Sequence, residues 1–168
     1  CVAQDYDQAV YWYRKAADQG DSSGMNSLGN CYKDGNGVTQ DYDQAVYWYR
    51  KAAEQGSAAA KYNLALRYYH GEDVGQDYGK AYELTLEALE EMDDPEEMAL
   101  PYNLLAICYD DGHGVAKDEE KAEDLYKLAI SYGSMEAKAN LGGVYYNKGD
   151  YTEAFPLLSD AAADGIDS

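Results

Sequence analysis

The chain has 168 residues, with 32 Asp and Glu against 13 Lys and Arg, a formal net charge of -19 at pH 7 and a pI of about 4.2. Such an acidic molecule gains nothing from counterion release on a phosphate backbone or an anionic bilayer, which argues against nucleic acid as a partner. Hydrophobic residues make up 46%, yet no apolar run approaches the roughly 20 residues a spanning helix needs, so no membrane insertion is expected.

The first element repeats itself. Gln4 to Gly20 reads QDYDQAVYWYRKAADQG and recurs from Gln40 to Gly56 with only Asp18 exchanged for Glu54. A period between 20 and 50 residues marks stacked supersecondary units, each unable to bury its apolar face alone. Within 5–18, Ala9, Tyr13 and Ala16 fall at i, i+4 and i+7, one face of a helix, and Ala45, Tyr49 and Ala52 repeat the pattern. Further copies of this helix start at Gln76, Lys117 and Gly149.

A second element alternates with the first, as MNSLGNCY at 25–32, KYNLALRYY at 61–69, NLLAICY at 103–109 and KANLGGVYY at 138–146. Leu28, Gly29 and Tyr32 set its pattern, followed by Leu64, Ala65 and Tyr68, then Leu105, Ala106 and Tyr109, then Leu141, Gly142 and Tyr145. Leu to Tyr at i+4 is a buried helical stripe, and the small residue between admits a partner helix. These positions read as core and not as cofactor ligands.

Loops at 34–41, 70–77 and 111–118 join the two kinds of helix. Their glycines supply the positive φ that ends a helix, and Asp41, Asp77 and Asp118 are expected N-caps for the next. No strand precedes them and no GKS or GKT follows, so the Gly-x-Gly is no phosphate loop. Asp73 replaces the second loop glycine of its copy and is expected to alter that turn. Asp94, Pro95 and Glu97 predict a helix start, with Pro101 six residues in expected to kink or break it. Pro156 is expected to interrupt the last helix near its beginning.

Cys1, Cys31 and Cys108 are too few and too scattered for a disulfide framework, and Cys31 and Cys108 read as reduced, which is compatible with a cytoplasmic setting. Asp110, Asp111 and His113 are neighbours, but they lack EF-hand spacing and a second histidine at i+4, so no metal site is expected. Ser131 and Ser134 have no histidine nearby in sequence, and no Gly-x-Ser-x-Gly occurs, so no catalytic residue is assigned. No cofactor is expected either.

Acidity is concentrated. Residues 1–75 hold ten acids and seven bases, 76–116 hold eleven and one, and 117–168 hold eleven and five. Glu83, Glu87, Glu90 and Glu91 form a ridge on one predicted helix, which reads as a solvated face or as a field that steers a basic partner.

Leu-Gly-x-x-Tyr, then Gly-x-Gly-Val-x-x-Asp, then Ala-x-x-Trp-Tyr-x-Lys-Ala-Ala-x-x-Gly over 24–56 resembles the Sel1-like repeat family, a longer-looped relative of the tetratricopeptide repeat. The resemblance covers nearly the whole chain. It implies an all-α fold, a right-handed α-solenoid of stacked antiparallel helix pairs, as one array over 1–168: a partial repeat at 1–20 and repeats at about 21–56, 57–92, 93–132 and 133–168. It also implies an adaptor or scaffold that is no enzyme. Some relatives are cysteine-rich, secreted and bind or hydrolyse β-lactams, but their cysteine pairs are missing here, which disfavours that branch.

In this family the first helix of each repeat lines a concave groove. Carried over, the partner-binding positions include Asn26 and Asn30, Tyr62, Leu66 and Tyr69, Asn103 and Ile107, and Tyr146. Tyr62, Leu66 and Tyr69 form a stripe roughly 110° from the Leu64 and Tyr68 core stripe. Rings supply contact area at small entropy cost and amides fix an extended backbone, so the groove reading is a protein or peptide partner. The alternatives are a basic partner on the acidic surface and, more distantly, β-lactam chemistry. Helix 5–18 has no preceding partner within this sequence, so Trp12 is expected to be exposed and the ends are expected to associate end to end.

Overall fold

Every described α-helix except Ala99–Asp111, where Met98 at the N-cap position makes no side-chain cap, starts where the sequence places a side-chain oxygen to accept an otherwise unpartnered backbone N–H. In the computed structural model, which describes residues 5–72 and 74–164, Asp5 caps α1 (Tyr6–Asp18) and Asp21 caps α2 (Ser22–Asp34). Asp41 caps α3 (Tyr42–Glu54) and Ser57 caps α4 (Ala58–His70). Asp77 accepts from Lys80 N at 3.0 Å at the head of α5 (Tyr78–Glu91). A 3₁₀ turn, Pro95–Met98, leads into α6 (Ala99–Asp111), and then come α7 (Glu119–Ser131), capped by Asp118, α8 (Met135–Lys148), capped by Ser134, and α9 (Tyr151–Asp164). The expected caps Asp41, Asp77 and Asp118 all serve. Residues 1–4, Cys1 among them, Asp73 and the last four residues, 165–168, lie outside the described residues.

Helix ends are equally legible. Gly35, Gly71, Gly112 and Gly149 close α2, α4, α6 and α8 in the left-handed conformation. Gly37, at φ +69°, is doubly constrained, because a Cβ there would run into the Tyr6 carbonyl.

The chain divides into two compact units, Cys1–Glu91 and Met92–Ser168. In the first, α2 packs on α3 and α4 on α5 as antiparallel pairs, with α1 on α2 and α3 on α4 linking the stack. In the second, α6 pairs with α7 and α8 with α9, linked by α7 on α8. This is the all-α solenoid class that the repeats predict. Leu28, Leu64, Leu105 and Leu141 are all buried, each contributing roughly 1.5–3 kcal/mol of apolar burial. The small residue after each Leu has a direct role: a Cβ on Gly29 would sit 2.6 Å from Cε1 of the fully buried Tyr49, and one on Gly142 would sit 2.8 Å from Leu158 Cγ. Trp12, on the unpacked face of α1, is 61% exposed, as expected.

Two expectations about proline are corrected. Pro101 neither kinks nor breaks its helix, because α6 begins at Ala99 and places it in the first turn, where the missing N–H has no intrahelical acceptor to lose. Pro156 does not interrupt α9, which runs through it to Asp164. The N–H lost at Pro156 is outweighed by packing, with Ala154 fully buried and Leu158 lying against Gly142.

Candidate functional site

The eight expected partner-binding residues divide between the units. In the first unit, α2 carries Asn26 and Asn30, and α4 carries Tyr62, Leu66 and Tyr69, all of them half-buried. Asn26 Oδ1 accepts from Asn63 Nδ2 at 2.9 Å, which ties α2 directly to α4. Asn30 Oδ1 accepts from the Tyr49 hydroxyl at 2.7 Å, and burial of that phenol pushes its pKa up. The asparagine oxygens therefore serve the scaffold, and what they offer a partner is the amide N–H side. Tyr69 meets Tyr78 of α5 edge-on, with ring centroids 5.2 Å apart.

The second unit repeats the plan. Asn103 is 9% exposed and its Oδ1 accepts from Asn140 Nδ2 at 3.0 Å, tying α6 to α8 as Asn26 and Asn63 tie α2 to α4. Ile107 is half-buried. Tyr146 is 50% exposed and meets Tyr151 of α9 edge-on at 5.3 Å, the counterpart of the Tyr69 and Tyr78 pair. Sequence reasoning missed Asn63, Asn140, Tyr78 and Tyr151. Asn63 and Asn140 each stand one residue before the motif Leu, and that shared register was the available signal.

The acidic ridge expected on α5 is partly ion-paired. Lys61 Nζ lies 2.9 Å from both Glu87 and Glu91, while Glu83 and Glu90 of the expected ridge are exposed. Here α3, α4 and α5 line an open cleft of about 450 Å³. In the second unit the Glu123 carboxylate is held below the usual range by hydrogen bonds from Lys127 and Tyr145.

Cys31 and Cys108 are buried free thiols. Burial, with Asp111 adding to it, pushes Cys108 up to about 12, and burial with Asp34 raises Cys31, so neither supplies thiolate at neutral pH. His113 Nδ1 is 3.8 Å from Asp111 Oδ2. Burial raises the Asp110 carboxyl, with the neighbouring Asp111 and Glu119 adding to it against Lys117 and Lys148. Among the described residues no group of three or more His, Cys, Asp or Glu could hold a metal ion. No helix among them is long and apolar enough to cross a membrane.

The Sel1 repeat profile matches residues 1–21, 22–57, 58–91, 102–134 and 136–165. A Sel1 repeat protein from Oxalobacter formigenes is similar in structure, with a TM-score of 0.79, 31% identity, and coverage of 96% of this chain and 66% of that one. So is c5321, a protective antigen present in uropathogenic Escherichia coli strains and displaying an SLR fold, with a TM-score of 0.77, 33% identity, and coverage of 96% and 34%. This chain thus spans 66% and 34% of their lengths. Helicobacter pylori cysteine rich protein B matches with a TM-score of 0.57 at 25% identity, over 82% of this chain and 95% of that one. Comparison with curated proteins returns no match. Sel1 repeat proteins generally mediate protein–protein interaction and are typically non-enzymatic. With five repeat matches spanning most of its length, and helix pairs stacked as those repeats require, the chain belongs to the Sel1 repeat family.

Proposed function

We propose that this protein is an interaction scaffold that binds a peptide or partner helix along its first helices, over α2 and α4 in one unit and α6 and α8 in the other. The observation that carries this reading is the recurrence of one surface plan in both units. An asparagine bridge fixes the spacing of neighbouring first helices, at 2.9 Å for Asn63 to Asn26 and 3.0 Å for Asn140 to Asn103. Beside it, a first-helix tyrosine meets a second-helix tyrosine edge-on. Rigidly spaced helices presenting partly exposed rings meet the requirement of a peptide groove, because little ordering entropy remains to be lost on binding.

Tyr62→Ala/Tyr69→Ala tests the reading. In quantitative affinity purification with the immobilised 168-residue chain, partners retained by the wild type are expected to fall at least tenfold on the variant, with its helical circular dichroism unchanged. Equal retention of every partner by a folded variant overturns the groove. The alternative, a basic partner on the acidic surface, predicts loss of the same proteins on Glu83→Lys/Glu90→Lys, two exposed residues of α5.

A further inference from the structure

The cleft of about 450 Å³ in the first unit is floored by Leu64 and Tyr68 of α4 and walled by Ala53 of α3 and Leu84 of α5. The preceding repeat shows what that volume accommodates. Trp48 stands in α3 where Leu84 stands in α5, 36 residues apart. It packs against a cluster of Val10, Leu28 and Cys31, and against a second that includes Ala17 and Met25. One repeat later Trp48 has become Leu84 and Met25 has become Lys61. The framework of the site persists while the indole is withdrawn, and the space is left open. The second unit repeats the substitution, with Leu141, Tyr145 and Leu157 at the positions of Leu64, Tyr68 and Leu84, and they line a cleft of about 280 Å³.

Charge around the first cleft selects the rest of the ligand. Its three cations are engaged: Lys61 with Glu87 and Glu91 at 2.9 Å, Arg50 with the Tyr68 hydroxyl at 3.3 Å, and Lys80 with Asp77 at 3.6 Å. The Lys80 ammonium also lies 5.2 Å from the Tyr68 ring centroid. Glu54 and Glu83 line the same cleft, are exposed, and form no ion pair among the described residues. An apolar slot of aromatic size with uncommitted carboxylates at its rim is complementary to a ring flanked by cations.

We propose that this cleft docks an aromatic side chain carried on a basic segment of a partner protein. Its α4 floor, Leu64 and Tyr68, lies roughly 110° around the helix from the Tyr62, Leu66 and Tyr69 stripe, and the proposal does not depend on the groove reading. The test titrates the full ¹⁵N-labelled chain with the blocked peptide Lys-Lys-Trp-Lys-Lys, following backbone amide shifts. Saturable shifts are expected at Leu64, Tyr68 and Leu84. Replacing the peptide tryptophan by alanine, or all four lysines by glutamate, is expected to weaken binding at least tenfold.

Leu84→Trp restores from within the residue used one repeat earlier, and is expected to weaken binding at least tenfold while the remaining spectrum persists. Glu54→Lys/Glu83→Lys changes only exposed carboxylates without ion-pair partners, and is expected to weaken binding similarly; it decides the matter if Leu84→Trp fails to fold. Tyr62→Ala/Tyr69→Ala is expected to leave the titration unchanged. Absence of saturable shifts at the cleft, equal binding of the alanine peptide, or wild-type binding by Glu54→Lys/Glu83→Lys or by a folded Leu84→Trp overturns the proposal.

Discussion

Glu123 Oε1 accepts from Lys127 Nζ and from the Tyr145 hydroxyl, each at 2.7 Å. The first unit handles the same tyrosine position differently: Arg14 donates to Tyr32 at 3.1 Å and Arg50 to Tyr68 at 3.3 Å. At Tyr32, Tyr68 and Tyr145 a basic residue 18 positions earlier anchors or approaches the hydroxyl, but the lysine at 127 does so through Glu123. Hydrogen bonding lowers the native pKa of Glu123, first from Lys127 and then from Tyr145, and the Lys127 value is raised by the same contact. A carboxylate with a depressed native pKa stabilises the fold fully above its unfolded value, about 4.3, and loses that contribution as pH falls through the native value. Glu123→Gln is therefore expected to lower stability by about 0.5–1 kcal/mol at pH 7, a modest effect because Lys127 is largely solvent-exposed. Denaturant melts of both proteins at pH 7, 5, 4 and 3 check this: the difference should hold to pH 5 and shrink below about pH 4. A difference that stays constant down to pH 3 contradicts the assignment.

At the scale of the element, the two prolines have opposite prospects although both lie in helices. Pro101 occupies the first turn of α6 and is completely buried, so Pro101→Ala gives up ring packing without gaining a hydrogen bond, and about 1–2 kcal/mol of stability should be lost. Pro156 is the sixth residue of α9 and exposed. Pro156→Ala restores a donor to the Thr152 carbonyl and removes the ring clash, worth up to about 3 kcal/mol in a helix interior, less the entropy the unfolded chain regains. A net gain of about 1–2 kcal/mol is expected, and thermal melting of both variants checks the pair of signs. Sequence patterns alone expected breaks at both prolines, because they register the residue and not the helix start two positions before Pro101 or the Leu158 to Gly142 packing that holds α9. Helices, caps and core stripes were legible because each is written in residues at most a few positions apart. Asn63, Asn140 and the α3 to α5 cleft were not, because they arise from contacts a whole repeat apart: an amide finding the amide of the next first helix, and an indole missing from one copy.

At the scale of the whole molecule, 32 acids against 13 bases leave a surplus that no arrangement of ion pairs removes. Two effects of salt therefore compete. Added NaCl weakens surface pairs such as Lys61 with Glu87 and Glu91 or Lys148 with Glu119, but exposed pairs contribute only about 0–1 kcal/mol each. It also screens repulsion among the carboxylates, which are densest along the sequence over residues 76–116, where eleven acids accompany one base. Between about 10 and 150 mM the Debye length falls from roughly 30 Å to roughly 8 Å, so long-range repulsion is removed while short pairs largely survive. Repulsion should win, and the apparent melting midpoint is expected to rise by about 2–4 °C, equivalent to about 1 kcal/mol for a chain of this size. Calorimetry across that salt range at constant pH measures the sign directly. A falling midpoint would mean that ion pairs outweigh the net charge, and the acidic surface would then be a stabilising network instead of a field open to cationic partners.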